Sequence, residues 1–187
     1  MTARRSRLQR MLSIGMALLS LILVAGPAAA QETETYEGEF FPFTVTYNSE
    51  VWGSRSTSGF EDQERVQLTA RATTFFLQAF PAEGDDATDC IANAVKSVET
   101  SDRVEGFEET DELTMPDGPR RAKEALMTYD LVPQGREDPV SFVQYVACME
   151  MDGGDSLLLV GIETRAGIYD EELEIINGIL AGVEYER

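Results

Sequence analysis

Leu157-Leu158-Leu159-Val160-Gly161-Ile162 carries no polar side chain at any of its six positions. Successive side chains of a strand point to opposite faces, so a run apolar at both parities has to be covered on both sides. The run is too short to stand as a helix of ordinary length. It is therefore expected as a central strand with one packed layer above it and another below. Two amphipathic stripes are available to form those layers. Ile91, Ala94, Val95 and Val98 fall at i, i+3, i+4 and i+7 after a helix start at 84–88, where Asp85, Asp86 and Thr88 supply capping oxygens. Tyr169, Leu173, Ile176 and Leu180 lie on one face of a helix expected over 169–181, with Asp170 and Glu171 in its first turn and Gly182 as its stop.

Elsewhere the period is two. Phe41, Phe43, Val45 and Tyr47 alternate with Pro42, Thr44 and Thr46, and Val66, Leu68 and Ala70 alternate with polar neighbours. Thr74 to Phe80 is β-branched and aromatic and ends at Pro81, and a turn at 71–73 makes these last two a hairpin. Phe107 to Leu113 reads as a weak strand, followed by the turn Pro116-Asp117-Gly118-Pro119. Ala125, Met127, Tyr129 and Leu131 alternate. A loop with Pro133, Gly135 and Pro139 leads to a long strand over 140–151, and Asp152-Gly153-Gly154-Asp155 closes a hairpin onto the central run. The segment 54–62 reads as polar connection. Strands joined by hairpin-length loops and interrupted by helices predict an α+β fold. It is a largely antiparallel sheet packed with two helices in an α/β/α sandwich, forming a single domain over 41–187.

The N-terminus has its own logic. Arg4, Arg5, Arg7 and Arg10 precede an uncharged, largely apolar run from Met11 to Val24, and Gly26-Pro27 leads into Ala28-Ala29-Ala30. A basic start, an apolar middle and a small-residue end form the pattern of a secretory signal peptide, with small side chains at Ala28 and Ala30 suited to a peptidase and cleavage after Ala30. The apolar run has 14 residues, whereas a spanning helix needs roughly 20. Residues 1–30 are thus expected to be a signal peptide, and 31–40 a flexible acidic tether. A secreted or extracytoplasmic location follows, with no stable membrane span after cleavage.

Of 15 basic and 34 acidic residues, the leader removes four Arg and no acid, which leaves 11 against 34 and a net charge of -23. Such a surface keeps a chain soluble and monomeric, and it repels nucleic acid, whose phosphates require clustered cations. Arg120-Arg121 is a small basic spot against this background. The chain has no His, which excludes a Ser-His-Asp triad, a Cys-His dyad and His-ligated metal or haem. Two Cys cannot make a four-thiolate centre. In an oxidising compartment two lone Cys pair, so a Cys90–Cys148 disulfide is expected.

No P-loop, Gly-x-Gly-x-x-Gly, Gly-x-Ser-x-Gly or EF-hand loop occurs. Asp152 and Asp155 offer oxygens to calcium but are too few for its shell, and Glu83, Asp85, Asp86 and Asp89 have a simpler role in capping. Tyr47, Trp52 and Phe60 are candidates for a pocket near the N-terminal strands. No catalytic residue, cofactor site or metal site is assigned.

The order of elements, with Phe43-Thr-Val-Thr-Tyr47 before Trp52 and Tyr145-Val-Ala-Cys-Met149 leading to Tyr169 through Leu180, resembles the PsbP-like family of small exported domains. That resemblance implies an antiparallel sheet sandwiched by helices and a non-enzymatic accessory or binding role. Metal-binding members use His in part, so no site residues carry over to a chain without His. The expectation is an exported, non-enzymatic accessory or binding domain without cofactor, directed at a protein or surface ligand. A cofactor-free carboxylate hydrolase and a low-affinity calcium binder are the alternatives.

Overall fold

The computed structural model describes residues 32–132 and 138–186. The expected signal peptide with Ala28 and Ala30, and the Pro133–Gly135 part of the loop, lie outside the described residues.

The long strand β8 (Val140–Met151) turns through Asp152, Gly153 and Gly154, all at positive φ, into β9 (Ser156–Arg165). Two consecutive glycines make that left-handed path inexpensive. β9 pairs on its other side with β5 (Thr73–Pro81), and the sheet extends outward from there. One wing continues through β4 (Gln63–Ala70) to β3 (Ser54–Phe60). The other continues through β7 (Lys123–Leu131) to β6 (Val104–Glu109). The order is β3-β4-β5-β9-β8-β7-β6, every pair antiparallel, with β9 in the middle as its apolar run requires. A second sheet has β2 (Phe43–Asn48) between β1 (Thr33–Glu37) and β10 (Val183–Tyr185).

One face of the large sheet, here called inner, is dry. Val66 and Leu68 of β4, Phe75 and Leu77 of β5, Val160 of β9 and Ala147 of β8 are buried there. They pack with Ile176, Ile179 and Leu180 of α2 (Tyr169–Ala181) and with Phe43, Val45 and Tyr47 of β2. On the outer face, Ile91, Ala94, Val95 and Val98 of α1 (Ala87–Glu99) meet Ala125, Met127, Tyr129 and Val146. Each helix thus lays its predicted stripe on the sheet, and the fold is the expected α+β sandwich. Asp86 caps α1, accepting from the N–H groups of Thr88 (2.6 Å) and Asp89 (3.0 Å), while the Asp89 carboxylate accepts from the Asp86 N–H. A disulfide joins Cys90 in the first turn of α1 to Cys148 of β8, as the sequence predicts.

Three strands depart from the sequence reading. Residues 33–37, expected within a flexible tether, form β1 in register with β2 from Thr33↔Asn48 to Glu37↔Thr44. The polar connection 54–62 contains β3, which pairs with β4 over its whole length. The three residues after α2 form β10. All three are held by a neighbour's backbone, which leaves no mark on side-chain alternation. The weak strand expected over 107–113 lies at 104–109.

Candidate binding surface

Glu64 is the inner-face residue of β4 nearest the β3 hairpin, and it is fully buried among apolar neighbours. Its carboxylate is matched by four donors. Tyr36 Oη donates at 2.5 Å and the Glu39 N–H at 2.8 Å to Oε1, and the N–H groups of Phe40 (3.0 Å) and Phe41 (3.3 Å) donate to Oε2. A buried charge persists only when compensated in this way. Burial, reinforced by the bond to Glu64, pushes the Tyr36 hydroxyl well above its ordinary range, so it stays a donor. The result is a loop at 38–41 fixed by a side chain from another sheet.

That loop sets Phe40 at the sheet's edge. A Cβ at Gly59 of β3 would stand 3.1 Å from Phe40 Cε2, so the ring lies against bare backbone there. Phe60 follows at the end of the strand. Phe40 and Phe60 are 42% and 68% exposed, and with Met115 they are the large apolar side chains left in water among the described residues. β3 ends the large sheet, pairs on one side only, and is exposed on both faces from Arg55 to Phe60. Its sequence, Ser-Arg-Ser-Thr-Ser-Gly-Phe, has no Pro, no Lys and no acid to discourage pairing. Arg55 is turned away from the edge, reaching Tyr47 Oη at 3.2 Å and Glu34 at 3.7 Å. Next to this edge the outer face is polar, and among the described residues no helix packs on it. Ser56, Ser58, Arg65, Gln67, Thr69, Thr74 and Gln78 share it by register, as far as Phe76, whose ring fills the space left by Gly161 of β9. Between this field and α1 runs a groove of about 340 Å³ lined by Phe76, Gln78, Phe80, Asn93 and Ser97.

No protein-family model matches the chain, and no curated protein does. Solved structures of similar fold include three small proteins. The Ran-binding protein Mog1p of Saccharomyces cerevisiae is 9% identical, with a TM-score of 0.48 over 83% of this chain and 96% of that one. LpqN of Mycobacterium tuberculosis, involved in cell envelope biogenesis, is 7% identical, with a TM-score of 0.40 over 86% and 88%. The cyanobacterial PsbP of Synechocystis is 12% identical, with a TM-score of 0.44 over 86% and 96%. The likeness is one of overall fold and gives no residue a role.

The sequence candidates are dispersed. Trp52 is buried, edge-to-face with Phe75 at 6.3 Å, and lines with Tyr47 a cavity of about 460 Å³ against α2. Phe60 does not join them. Burial raises the Tyr47 hydroxyl above its usual range, and its bond to Glu34 adds to the rise. Asp86 and Asp89 serve α1 as its capping box. Among the described residues no group of three or more His, Cys, Asp or Glu is placed to hold a metal ion. Other carboxylates are engaged within the fold. Glu172 accepts from Thr73 Oγ1 at 3.3 Å and pairs with Arg71 at 3.1 Å. Tyr129 donates to Glu163 at 2.5 Å, and Tyr145 donates to Glu124. The cavity against α2 and the groove beside α1 each have one carboxylate in their walls, Glu174 and Asp85. The edge with its two rings escaped the sequence reading. Its one available signal was a polar run without Pro between two turns.

Proposed function

We propose that this chain is an exported, non-enzymatic binding domain that acts outside the cytoplasmic membrane as a monomer. It captures an extended, basic segment of a partner protein by pairing it with β3. The observation that carries this reading is the unblocked edge of β3 beside the exposed rings of Phe40 and Phe60. An added strand gains backbone hydrogen bonds from the edge and side-chain contacts from the rings, the recognition mode of β-strand addition. A net charge of -23 for residues 31–187 favours a cationic segment and disfavours a second copy of the same chain. The leader at 1–30 and the Cys90–Cys148 disulfide both suit an oxidising space. Among the described residues no helix is long and apolar enough to cross a membrane.

The test is selection from a displayed library of linear nonapeptides on the purified protein. Basic, β-prone sequences are expected to be enriched. Their binding is expected to drop in Phe60→Ala, which removes an exposed ring, and in Ser58→Lys, which places a like charge at the edge. Peptides that bind both variants as they bind the parent would overturn the site. For export, the mass of the chain recovered outside the cytoplasm should correspond to a start at Gln31, and a mass that includes Met1 to Ala30 would overturn the location.

A further inference from the structure

The start of β7 and the β8–β9 turn border a cleft of about 370 Å³ whose walls include Ala87, Arg121, Lys123, Glu150 and Gly154. We propose that this cleft binds a small phosphate monoester on Arg121 and Lys123.

The first argument is charge. The described residues hold nine Lys and Arg, and three of them, Arg120, Arg121 and Lys123, fall within four positions. Ion pairs among the described residues are Arg55–Glu34 and Arg71–Glu172, and neither includes the cleft cations. The nearby carboxylates also serve α1. Asp86 receives the Thr88 and Asp89 N–H groups, and Glu150 Oε1 receives the Ala87 N–H at 3.4 Å. Glu150 lines the cleft with them and the Lys123 charge acts on the Asp86 carboxylate, but neither acid is within salt-bridge distance, so two cations without a salt bridge face one concavity and are matched to an incoming anion. The guanidinium supplies a planar fork for two oxygens of a tetrahedral group, and the ammonium supplies a compact second charge.

The second argument is backbone. Arg121 lies at φ 62, a left-handed conformation that costs a residue with a Cβ about 1 kcal/mol. It is held there by the turn in which the Ala122 N–H donates to Pro119 O at 3.3 Å, and by Tyr185 Oη, which donates to Arg120 O at 2.9 Å. A glycine would relax this position, yet the sequence keeps an arginine in it. The third argument is size. The cleft falls within the volume range of small-ligand sites and holds far more than a bare phosphate ion, while its acidic surroundings repel a long polyanion.

Calorimetric titration of the purified protein at low ionic strength, with glycerol 2-phosphate and with inorganic phosphate, tests this. One saturable site is expected, with the monoester bound more tightly than phosphate. Arg121→Gln and Lys123→Gln, both at exposed positions, are each expected to weaken binding about tenfold or more. Glu150→Gln is expected to tighten it by removing a like charge, and Arg103→Gln, exposed beyond the far end of α1, to leave it unchanged. Absence of a saturable site, equal binding of bare phosphate, or unaltered affinity in both cation variants would overturn the proposal.

Discussion

The outer face of the large sheet has two halves with different fates. Over β7 and β8 it is apolar, with Ala125, Met127, Tyr129 and Val146 beneath α1. Over β3 and β4 it is a field of Ser, Thr, Gln and Arg on which no helix packs among the described residues, and β5 is the border, where Phe76 and Phe80 join the apolar clusters beneath α1. Geometry explains the division. Seven strands spaced about 4.8 Å apart span roughly 29 Å, whereas one helix with its side chains is about 10–12 Å across. A single outer helix cannot roof the whole sheet, and the sequence is apolar where the roof falls and polar where it does not. The inner face meets no such limit, because α2 is joined there by a second sheet. The open half is consequently where recognition can occur without dismantling the core.

The comparison can be broken first at the staple. The 58-residue separation of Cys90 and Cys148 corresponds in chain-entropy terms to about 4 kcal/mol. Replacing both by Ser should lower the unfolding free energy by about that amount in denaturant titrations, and an unchanged midpoint would show that α1 holds the covered half without it. Next come side chains. Leu77→Ala on the buried inner face should cost about 2–5 kcal/mol, and Gln67→Ala on the open half of the opposite face no more than about 0.5 kcal/mol. Equal losses would mean that the open half is covered after all. Glu64→Gln removes the charge that gathers Tyr36 and three loop N–H groups, and should cost about 1–3 kcal/mol. It should also speed amide hydrogen exchange at Glu39, Phe40 and Phe41, and protection left intact would separate the loop's order from Glu64.

The smallest expected effects are those of pH. Burial, with Asp170 close by, raises the Tyr169 hydroxyl to about 12 from 10.0. A folded value above the unfolded one gives stability that is complete below pH 10 and is lost as pH rises toward 12. Tyr129 and Tyr145, raised by burial and then by their bonds to Glu163 and Glu124, act in the same sense. Tyrosinate absorbance should therefore appear together with the loss of near-ultraviolet dichroism, and ionisation in a fully native spectrum would contradict it. Asp86 has the opposite sign. Hydrogen bonds from the Asp89 and Thr88 N–H groups hold its carboxylate below the usual range, so its contribution is present above pH 4 and fades as pH falls below it. Asp86→Asn, which keeps a capping oxygen but cannot ionise, should flatten that part of the acid titration.

Much of the fold is legible because burial writes a period into the sequence. The six-residue apolar run is β9 at the centre of the sheet. The stripes at 91–98 and 169–180 are α1 and α2, alternation marks β2, β4 and β7, a β-branched and aromatic stretch marks β5, and β8 reads as one long strand-like run. The disulfide followed from compartment and count. What escaped is what burial does not mark. β1, β3 and β10 owe their existence to ladder partners, and β3 in particular is exposed on both faces, so its side chains carry no alternation for a reader to find. The edge reading therefore had no sequence counterpart, whereas the basic spot at Arg120-Arg121 was visible without its cleft.

By itself the sequence determined which residues leave water, and with them the central strand, the two helical faces and the acidity of the surface, because hydrophobic burial depends on side-chain type and period. Only the tertiary structure decided which strand stands at the edge, which carboxylate is closed in by loop N–H groups, and that Arg121 and Lys123 face one cleft. Those are matters of which distant backbones meet, and the energy that decides them comes from pairing and enclosure rather than from any local pattern.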